Sequence, residues 1–286
     1  MSDDDQTFPP QEQEYPGTTD AMTPRPADEM ESYVGRGLLE GKRALVTGGD
    51  SGIGRATAVA FAKEGADVAI AYLSEDHDAR HTAKLVEQEG RRSVLLPGDL
   101  SVEEHCGDVV RRTVAELGGL DVLVNNIAYQ NPAESLADIS TEQWDRTFRP
   151  TIYSYFWVTK AALEHMPDGG AIINSGSING LRGNKSLIDY SSTKGAILAC
   201  TYSRAQALVE RRIRVNCVAP GPVWTPLIPA TMGGEKAAKF GQQTPMNEAA
   251  QPDEIAPSYV FFAAEQLSRY YSGEVLAPIG GETLPG

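Results

Sequence analysis

The chain has 286 residues, of which 41% are hydrophobic and 22% charged, and its formal net charge is −14 at pH 7. This length suits one large domain with an appendage and is ample for a buried core. The acidic excess argues against nucleic-acid partners and anionic membrane surfaces, because both present phosphates that the chain would repel. No stretch approaches the roughly 18 apolar residues of a membrane span.

Residues 1–40 are predicted to form an N-terminal arm, because they are rich in Pro, Glu, Asp, Gln and Thr. Their few apolar side chains cannot offset the entropy of ordering by burial within the segment. We expect an extended or partly disordered tail, or an arm laid across another surface with Phe8, Tyr15 and Tyr33 as anchors. The acidic start Met1–Asp5 lacks the basic and apolar regions of a signal peptide, so a cytoplasmic location is expected.

The cysteines and histidines indicate neither disulfides nor a metal. Cys106, Cys200 and Cys217 are far apart and form no CxxC pair, so reduced, packed thiols are expected. His77 and His81 are four residues apart but lack the HExxH context of a zinc-binding helix. We therefore expect no metal site and a reducing compartment.

Residues 41–286 are predicted to form the main domain. Apolar runs predict strands at Arg43–Thr47, Asp67–Leu73, Ser93–Leu96, Asp121–Asn125, Ala171–Ser175 and Ile213–Val218. Helical patterns lie between them, at Ile53–Gly65, Asp78–Glu89, Val102–Leu117, Thr151–Met166 and Tyr190–Glu210. This alternation is typical of βαβ units. It predicts a single α/β domain of the Rossmann type, a doubly wound parallel sheet flanked by helices.

A glycine-rich segment, Thr47–Gly54, joins the first predicted strand to the first predicted helix. Glycines let the backbone turn tightly and approach a pyrophosphate, which then accepts hydrogen bonds at the helix N-terminus. The spacing is G-x-x-x-G-x-G rather than the commoner G-x-G-x-x-G. Its place before an amphipathic helix predicts a dinucleotide-binding loop. The expected cofactor contacts are Gly48, Asp50, Ser51, Gly52, Ile53 and Gly54.

The end of the second predicted strand bears on the choice between NAD(H) and NADP(H). An acid there usually binds the ribose hydroxyls, whereas a nearby arginine accepts a 2′-phosphate. This strand ends with neither, at Tyr72–Ser74. Nearby acidic side chains disfavour a 2′-phosphate; they are Asp50, Glu75 and Asp76. Two nearby arginines, Arg55 and Arg80, could offset them. The balance weakly favours NAD.

Tyr190 and Lys194 are four residues apart in a predicted helix, which places both on one face, about 5–6 Å apart at Cβ. A nearby ammonium favours the phenolate and should lower the tyrosine pKa from about 10 toward the working pH. Such a tyrosine can give a proton to a carbonyl oxygen or take one from an alcohol. Ser177 follows the strand Ala171–Ser175, and strand ends line the ligand crevice of such sheets. These three side chains are the predicted catalytic set.

Together these features resemble the short-chain dehydrogenase/reductase family, from about Leu39 to Gly281. The resemblance is carried by the Thr47–Gly54 loop, Asn125-Asn126, Ser177, Tyr190 with Lys194, and Pro220-Gly221. The arm and the segments Gly98–Ser101, Leu187–Tyr190 and Trp224–Leu227 resemble the subgroup of bacterial aldehyde reductases and glucose-dehydrogenase-like stress proteins.

The resemblance implies an NAD(P)-dependent oxidoreductase that interconverts a small aldehyde, ketone or sugar and its alcohol by hydride transfer. It implies that Ser177 hydrogen-bonds the substrate oxygen, Tyr190 acts as general acid/base, and Lys194 binds the nicotinamide ribose and tunes Tyr190. Asp99 and Asn125 would border the adenosine half of the cofactor, Pro220, Gly221, Val223 and Thr225 would lie at the nicotinamide, and Tyr72 and Leu100 complete the expected contacts.

The family also implies a homotetramer packed through the helices Thr151–Met166 and Tyr190–Glu210. We expect residues 1–40 to lie on a neighbouring subunit of that tetramer. A substrate loop is expected at about residues 222–250. Candidate pocket walls are Trp224, Ile228, Met232, Phe240 and Met246 in that loop, with Tyr129, Leu181 and Asn184 outside it.

Two positions depart from the family pattern. The turn Asn125–Ala128 ends in alanine where the family has glycine, which is tolerable if that residue keeps φ below zero. Where the family has a fourth catalytic residue, an asparagine holding a proton-relay water, this chain has Thr151 after Pro150. A threonine hydroxyl reaches differently, so the relay rather than the fold is in question.

Two other functions stay open on the sequence alone. One is a dinucleotide-binding sensor or scaffold with little turnover, which the altered Thr151 position and the acidic arm would suit. The other is an epimerase or dehydratase on the same fold that keeps Tyr190 and Lys194 beside the cofactor. The intact Ser177, Tyr190 and Lys194 set favours the oxidoreductase.

Overall fold

In the computed structural model, which describes residues 8–283, seven parallel strands form one sheet in the order β3-β2-β1-β4-β5-β6-β7. The strands are β1 Arg43–Thr47, β2 Asp67–Tyr72, β3 Ser93–Pro97, β4 Val122–Asn125, β5 Ala171–Ser175, β6 Arg214–Val218 and β7 Val275–Leu276. The doubly wound α/β prediction is confirmed. The six predicted strands agree with the structure to within one residue at each end, and only the two-residue β7 was not predicted.

Helices cover both faces of this sheet. They are α1 Gly52–Lys63, α2 Asp76–Gln88, α3 Glu103–Leu117, α4 Thr141–Phe148, α5 Ser154–Ala162, α6 Ile178–Arg182, α7 Ile188–Ala207, α8 Leu227–Thr231, α9 Gly234–Ala238, α10 Pro252–Ala263 and α11 Glu265–Ser268. Within residues 8–283, none of them has both the length and the apolar character needed to span a bilayer.

The predicted helix Thr151–Met166 differs from the structure. The chain instead forms α4, a π-helical turn at Arg149–Tyr153, and then α5, which ends at Ala162. Pro150 lies in the π turn and explains the change, because proline has no N–H to donate to the carbonyl four residues earlier and its ring clashes with that carbonyl. The helix widens there, and Thr151 is carried in the widened turn.

The core has two layers because strand side chains alternate between the faces of the sheet. In β1, Ala44 and Val46 pack in a cluster with α1, α2 and α10, whereas Leu45 packs in a cluster with α3 and α5. Strands buried on both faces explain why the sequence shows continuous apolar runs rather than an alternating pattern.

The strand order reverses between β1 and β4. The chain proceeds outward from β1 to β3 on one side and from β4 to β7 on the other. Right-handed crossovers then place the helices that follow β1 and β4 on opposite faces, so the loops at these strand ends diverge and leave a crevice.

The described part of the arm, residues 8–40, packs against the domain of its own chain. The ring of Phe8 stacks on Trp224 with centroids 3.7 Å apart. Met22, Met30 and Leu39 are buried. The few apolar residues of the arm are thus spaced to fill recesses of the domain that follows them in the chain.

A buried guanidinium joins the arm to the domain. Arg55 of α1 is 1% exposed, and it contacts Asp28 of the arm at 3.2 Å and Asp78 of α2 at 3.0 Å. Its Nε and Nη2 also donate to the carbonyl of Asp50, at 3.0 and 2.8 Å. Burial raises the pKa of Asp28 to about 6, while Arg55 and the N–H of Gly52 act to lower it. Each charge is desolvated, so each depends on the others.

We expect Arg55→Ala to lower the free energy of unfolding by about 3–5 kcal/mol, because it leaves two buried carboxylates without their cation. Urea denaturation followed by circular dichroism measures this. The control is Arg80→Ala, which breaks an ion pair with Asp76 that is exposed on both sides and should cost less than about 1 kcal/mol. Equal losses in the two variants would contradict the role given to the buried network.

Candidate active site

A cleft of about 830 Å³ opens at the carboxyl end of the sheet. Its walls come from the loops after β1, β4, β5 and β6, from the substrate segment 222–250, and from the arm. Most of the residues predicted to bind the cofactor or act in catalysis line this cleft. They are Gly48, Asp50, Ser51, Gly52, Ile53, Ser177, Tyr190, Lys194, Pro220, Gly221, Val223 and Thr225.

The glycine-rich loop has the shape of a phosphate cradle. Gly48 and Gly52 have φ of +63° and +51°, in the region that favours glycine. A Cβ built at Gly52 would lie 2.9 Å from Cγ2 of Thr225, so a side chain there would fill the gap between the loop and the opposite wall. A narrow backbone cradle at a helix N-terminus suits a pyrophosphate. The N–H of Gly52 already donates to Asp28 at 3.0 Å, so neighbouring groups would hold the phosphates.

Gly54 has a different role from the other loop glycines, because it does not line the cleft. A Cβ at Gly54 would lie 1.7 Å from the carbonyl oxygen of Gly48. Glycine is therefore needed here for helix α1 to pack against the loop.

The side chain of Asn125 was expected to contact the cofactor, but it does not line the cleft. It is 0% exposed, and its Nδ2 donates to Asn174 at 3.0 Å and to Thr159 at 3.2 Å. The next residue, Asn126, lines the cleft instead; it donates to the carbonyl of Gly48 at 3.1 Å and accepts from Ser175 at 3.0 Å. The alternation of side chains along β4 is the signal that distinguishes the two asparagines.

Three more predicted cofactor residues lie outside the cleft lining. The hydroxyl of Tyr72 donates to Asp76 at 2.6 Å. Asp99 accepts from the N–H of Ser101 at 2.8 Å, and Leu100 is buried in the core. Leu73 and Glu75, which follow β2, line the cleft where Tyr72 was expected.

The predicted catalytic side chains meet at the cleft floor. Ser177 caps α6, with its Oγ accepting from the N–H of Asn179 at 3.1 Å. Helix α7 carries Tyr190 and Lys194 on one face. Burial raises the pKa of Tyr190 to about 12, and a hydrogen bond with the Ser177 side chain acts in the opposite direction.

The expected lowering of the Tyr190 pKa by Lys194 is not what the structure shows. The ammonium donates to the carbonyl of Ser175 at 2.7 Å and lies 5.4 Å from the centre of the Tyr190 ring. It is thus directed to the backbone and lies over the ring rather than at the phenol oxygen. Burial lowers the pKa of Lys194 to about 8.

Thr151 is fully buried in the π turn, and within residues 8–283 no partner accepts from or donates to its Oγ1. Of the predicted pocket walls, Asn184, Ile228, Met232 and Phe240 line the cleft. Trp224, Leu181, Met246 and Tyr129 do not. Trp224 is fully buried beneath Phe8, and Met246 is exposed.

Comparison with known proteins gives the chain its family. Residues 48–283 match the family described as enoyl-(acyl carrier protein) reductase. General stress protein 39 of Bacillus subtilis (strain 168) is 54% identical over 266 residues, which are 93% of each chain. A short-chain dehydrogenase from Burkholderia cenocepacia J2315, solved in complex with NADP, is 32% identical with a TM-score of 0.80, over 85% of this chain and 98% of its own. The chain belongs to the short-chain dehydrogenase/reductase family.

The enzyme is an oxidoreductase that uses a nicotinamide dinucleotide. A further relative, NADPH-dependent aldehyde reductase 1 (chloroplastic) of Arabidopsis thaliana, is 45% identical over 275 residues, 94% of this chain and 96% of its own. The names of the aldehyde reductase and of the NADP complex give no support to the expected preference for NAD. Among residues 8–283, no group of three His, Cys, Asp or Glu is placed to hold a metal ion.

The buried ammonium generates a stability prediction for Lys194→Met. Because the folded-state pKa of about 8 lies below 10.5, the charged form is disfavoured in the fold, and this cost is fully present below pH 8 and disappears as pH rises to 10.5. We expect Lys194→Met to be more stable than the wild type at pH 7, on the order of 1–3 kcal/mol. The gain should shrink by pH 10.

Urea denaturation at the two pH values measures the difference between wild type and variant, so that other titrating groups cancel. The control is Lys42→Met at an exposed lysine, whose effect should not change with pH. A Lys194→Met protein that is less stable than the wild type at pH 7 would show that the ammonium stabilises the fold.

Proposed function

We propose that the enzyme interconverts a small aldehyde, ketone or sugar and its alcohol, with Tyr190 as general acid/base. The observation that carries this proposal is that Ser177, Tyr190 and Lys194 all line one cleft at the carboxyl end of the sheet, with Tyr190 and Lys194 on one face of α7. A phenol and a hydroxyl that line the same cleft can receive a carbonyl oxygen between them.

Each of the three side chains has a separate task. Ser177 holds the substrate oxygen beside Tyr190, and Tyr190 donates its proton to that oxygen as the carbonyl is reduced. The dinucleotide, when bound, supplies or accepts the hydride. With its pKa raised to about 12, Tyr190 is protonated near neutral pH, which suits reduction better than oxidation. Lys194 lines the same cleft and has ammonium protons beyond the one given to Ser175, which suits it to hold a ribose hydroxyl.

The cleft walls support a hydroxylated or otherwise polar small substrate. Gln130, Asn179, Asn184 and Gln243 line the cleft beside apolar residues of the substrate segment. The relative from Arabidopsis thaliana named above is, by its name, a reductase of aldehydes. For Thr151 we propose that its buried hydroxyl stands where the family holds a relay asparagine.

We propose a preference for NAD over NADP on electrostatic grounds, against the names of the NADP-binding relatives. Asp50 and Glu75 line the cleft near the end of β2. Arg55 is occupied by Asp28 and Asp78, and the exposed Arg80 pairs with Asp76, so neither is placed as a dedicated partner for a 2′-phosphate. Titrating the enzyme with NADH and NADPH decides the matter, and equal or tighter NADPH binding would remove the proposal.

We propose that the enzyme assembles as a homotetramer and that it is located in the cytoplasm. Exposed aromatic residues lie on the π turn, α5 and α7, at Tyr153, Phe156 and Tyr202. A second group, Tyr270, Tyr271 and Leu276, is exposed near β7. Two separate apolar faces suit a tetramer with two kinds of contact, and light scattering measures the mass. Buried, unpaired thiols at Cys106 and Cys217 suit a reducing compartment.

We expect Tyr190→Phe to lower turnover by about 10²–10⁴, the usual share of a general acid/base, because it removes only the proton-donating hydroxyl. Dinucleotide affinity and thermal stability should be close to those of the wild type. Initial rates of NADH and NADPH oxidation with a panel of aldehydes, ketones and sugars provide the measurement. Tyr271→Phe, which removes a half-exposed hydroxyl near β7, is the control. Near-normal turnover in Tyr190→Phe would refute the catalytic assignment.

A further inference from the structure

The arm contributes Tyr15 and Pro16 to the lining of the cleft, and the segment around them contacts two of its walls. On one side, the Tyr15 ring packs edge-on against Tyr129 with centroids 4.9 Å apart. Its hydroxyl approaches the carbonyl of Ala128 at 3.5 Å. This side of the segment therefore rests on the loop after β4, which forms one wall of the cleft.

On the other side, the same segment rests on the substrate segment. The N–H of Gln13 donates to the carbonyl of Pro229 at 3.0 Å, and the N–H of Gly234 donates to Glu12 at 2.8 Å. Gly17 is in such close contact that a Cβ there would lie 2.8 Å from the carbonyl oxygen of Pro226. We call residues 12–17 the strap, since they join the two walls.

The arm is anchored before and after the strap. Before it, Phe8 stacks on Trp224 and its N–H donates to the carbonyl of Ala238 at 3.1 Å. After it, the N–H of Thr19 donates to Asp78 at 2.9 Å, and Asp28 accepts from the N–H of Gly52 in the phosphate loop. The arm is thus fastened to the substrate segment at one end and to the phosphate loop at the other.

The chemistry of the strap indicates how it acts on a ligand. Residues 8–24 contain no lysine or arginine and include Glu12 and Glu14, so the strap offers no cation to a phosphate. Tyr15 is uncharged, because burial and the neighbouring Glu75 and Asp50 raise its pKa. Its contribution to ligand binding is therefore to close the cleft and exclude water rather than to pair charges.

We propose that the strap is the outer wall of the dinucleotide site and must be displaced for NAD(H) or NADP(H) to enter or leave. This inference rests on the proposed function, which places the dinucleotide in the cleft. A segment that contacts two walls of a cleft slows dissociation of the ligand bound behind it, as mobile lids do in other enzymes. By linkage, the bound dinucleotide must hold the strap closed.

The test compares Gly17→Ala with Gly37→Ala. Both glycines are in the arm with φ near +75° (+79° and +74°), so both substitutions carry similar backbone strain. Only Gly17 has a wall against it; a Cβ at Gly37 meets nothing within 4 Å. We expect Gly17→Ala to speed NADH or NADPH dissociation by roughly five- to a hundredfold, the usual size of such coupling. Gly37→Ala should leave the rate unchanged. Stopped-flow fluorescence of the displaced dinucleotide measures both.

Hydrogen exchange of the wild-type protein gives a second readout that needs no variant to fold. Saturating NADH or NADPH should slow exchange at the Gln13 N–H, which donates to the carbonyl of Pro229 in the substrate segment. The N–H of Tyr33, bonded to Met30 within the arm, serves as the control and should not change. A wild type that binds neither dinucleotide overturns the proposed function and the strap with it. Binding with equal rates in both variants and no protection at Gln13 overturns the strap alone.

Discussion

The reversal of strand order between β1 and β4 creates the crevice that holds the candidate active site. All strands are parallel, so every carboxyl end faces the same edge of the sheet, and the right-handed crossovers that follow β1 and β4 separate the loops there. The phosphate loop, Asn126, Ser177 and Pro220 each follow a different strand and all reach this crevice. Because the site is assembled from four strand ends, the hydrogen-bonded sheet fixes the relative positions of its parts.

Within that site the Lys194 ammonium is the group that lowers the stability of the fold most. It is 1% exposed and rests on one backbone carbonyl of β5, and burial disfavours its charge. A stability-optimised protein would place an apolar side chain there. Retaining a charge at a position that weakens the fold is typical of groups kept for binding or catalysis. Arg55 differs, because its charge is matched by two buried carboxylates and it fastens three segments of the chain together.

Much of the fold and the placement of Tyr190 and Lys194 on one helix could be predicted from the sequence because both depend on short-range patterns. Strands buried on both faces appear as apolar runs, and Tyr190 and Lys194 are brought together by helical spacing alone. Features that depend on tertiary packing were predicted less well. One is the burial of Asn125, which leaves Asn126 to line the cleft, and others are the direction of the Lys194 side chain and the path of residues 8–40 over their own domain. Each depends on neighbours that are distant in sequence. The π turn had a local signal in Pro150, which marked the site without specifying its shape.

The central claim is that hydride passes between a nicotinamide dinucleotide and a carbonyl carbon in this cleft. Reduction of a small aldehyde with dinucleotide deuterated at C4, on each face in turn, tests it most directly. Mass spectrometry should find one deuterium on the alcohol carbon from one face and none from the other. Product free of deuterium from both faces, or a substrate altered without net oxidation of the dinucleotide, would indicate an epimerase or dehydratase and contradict the claim.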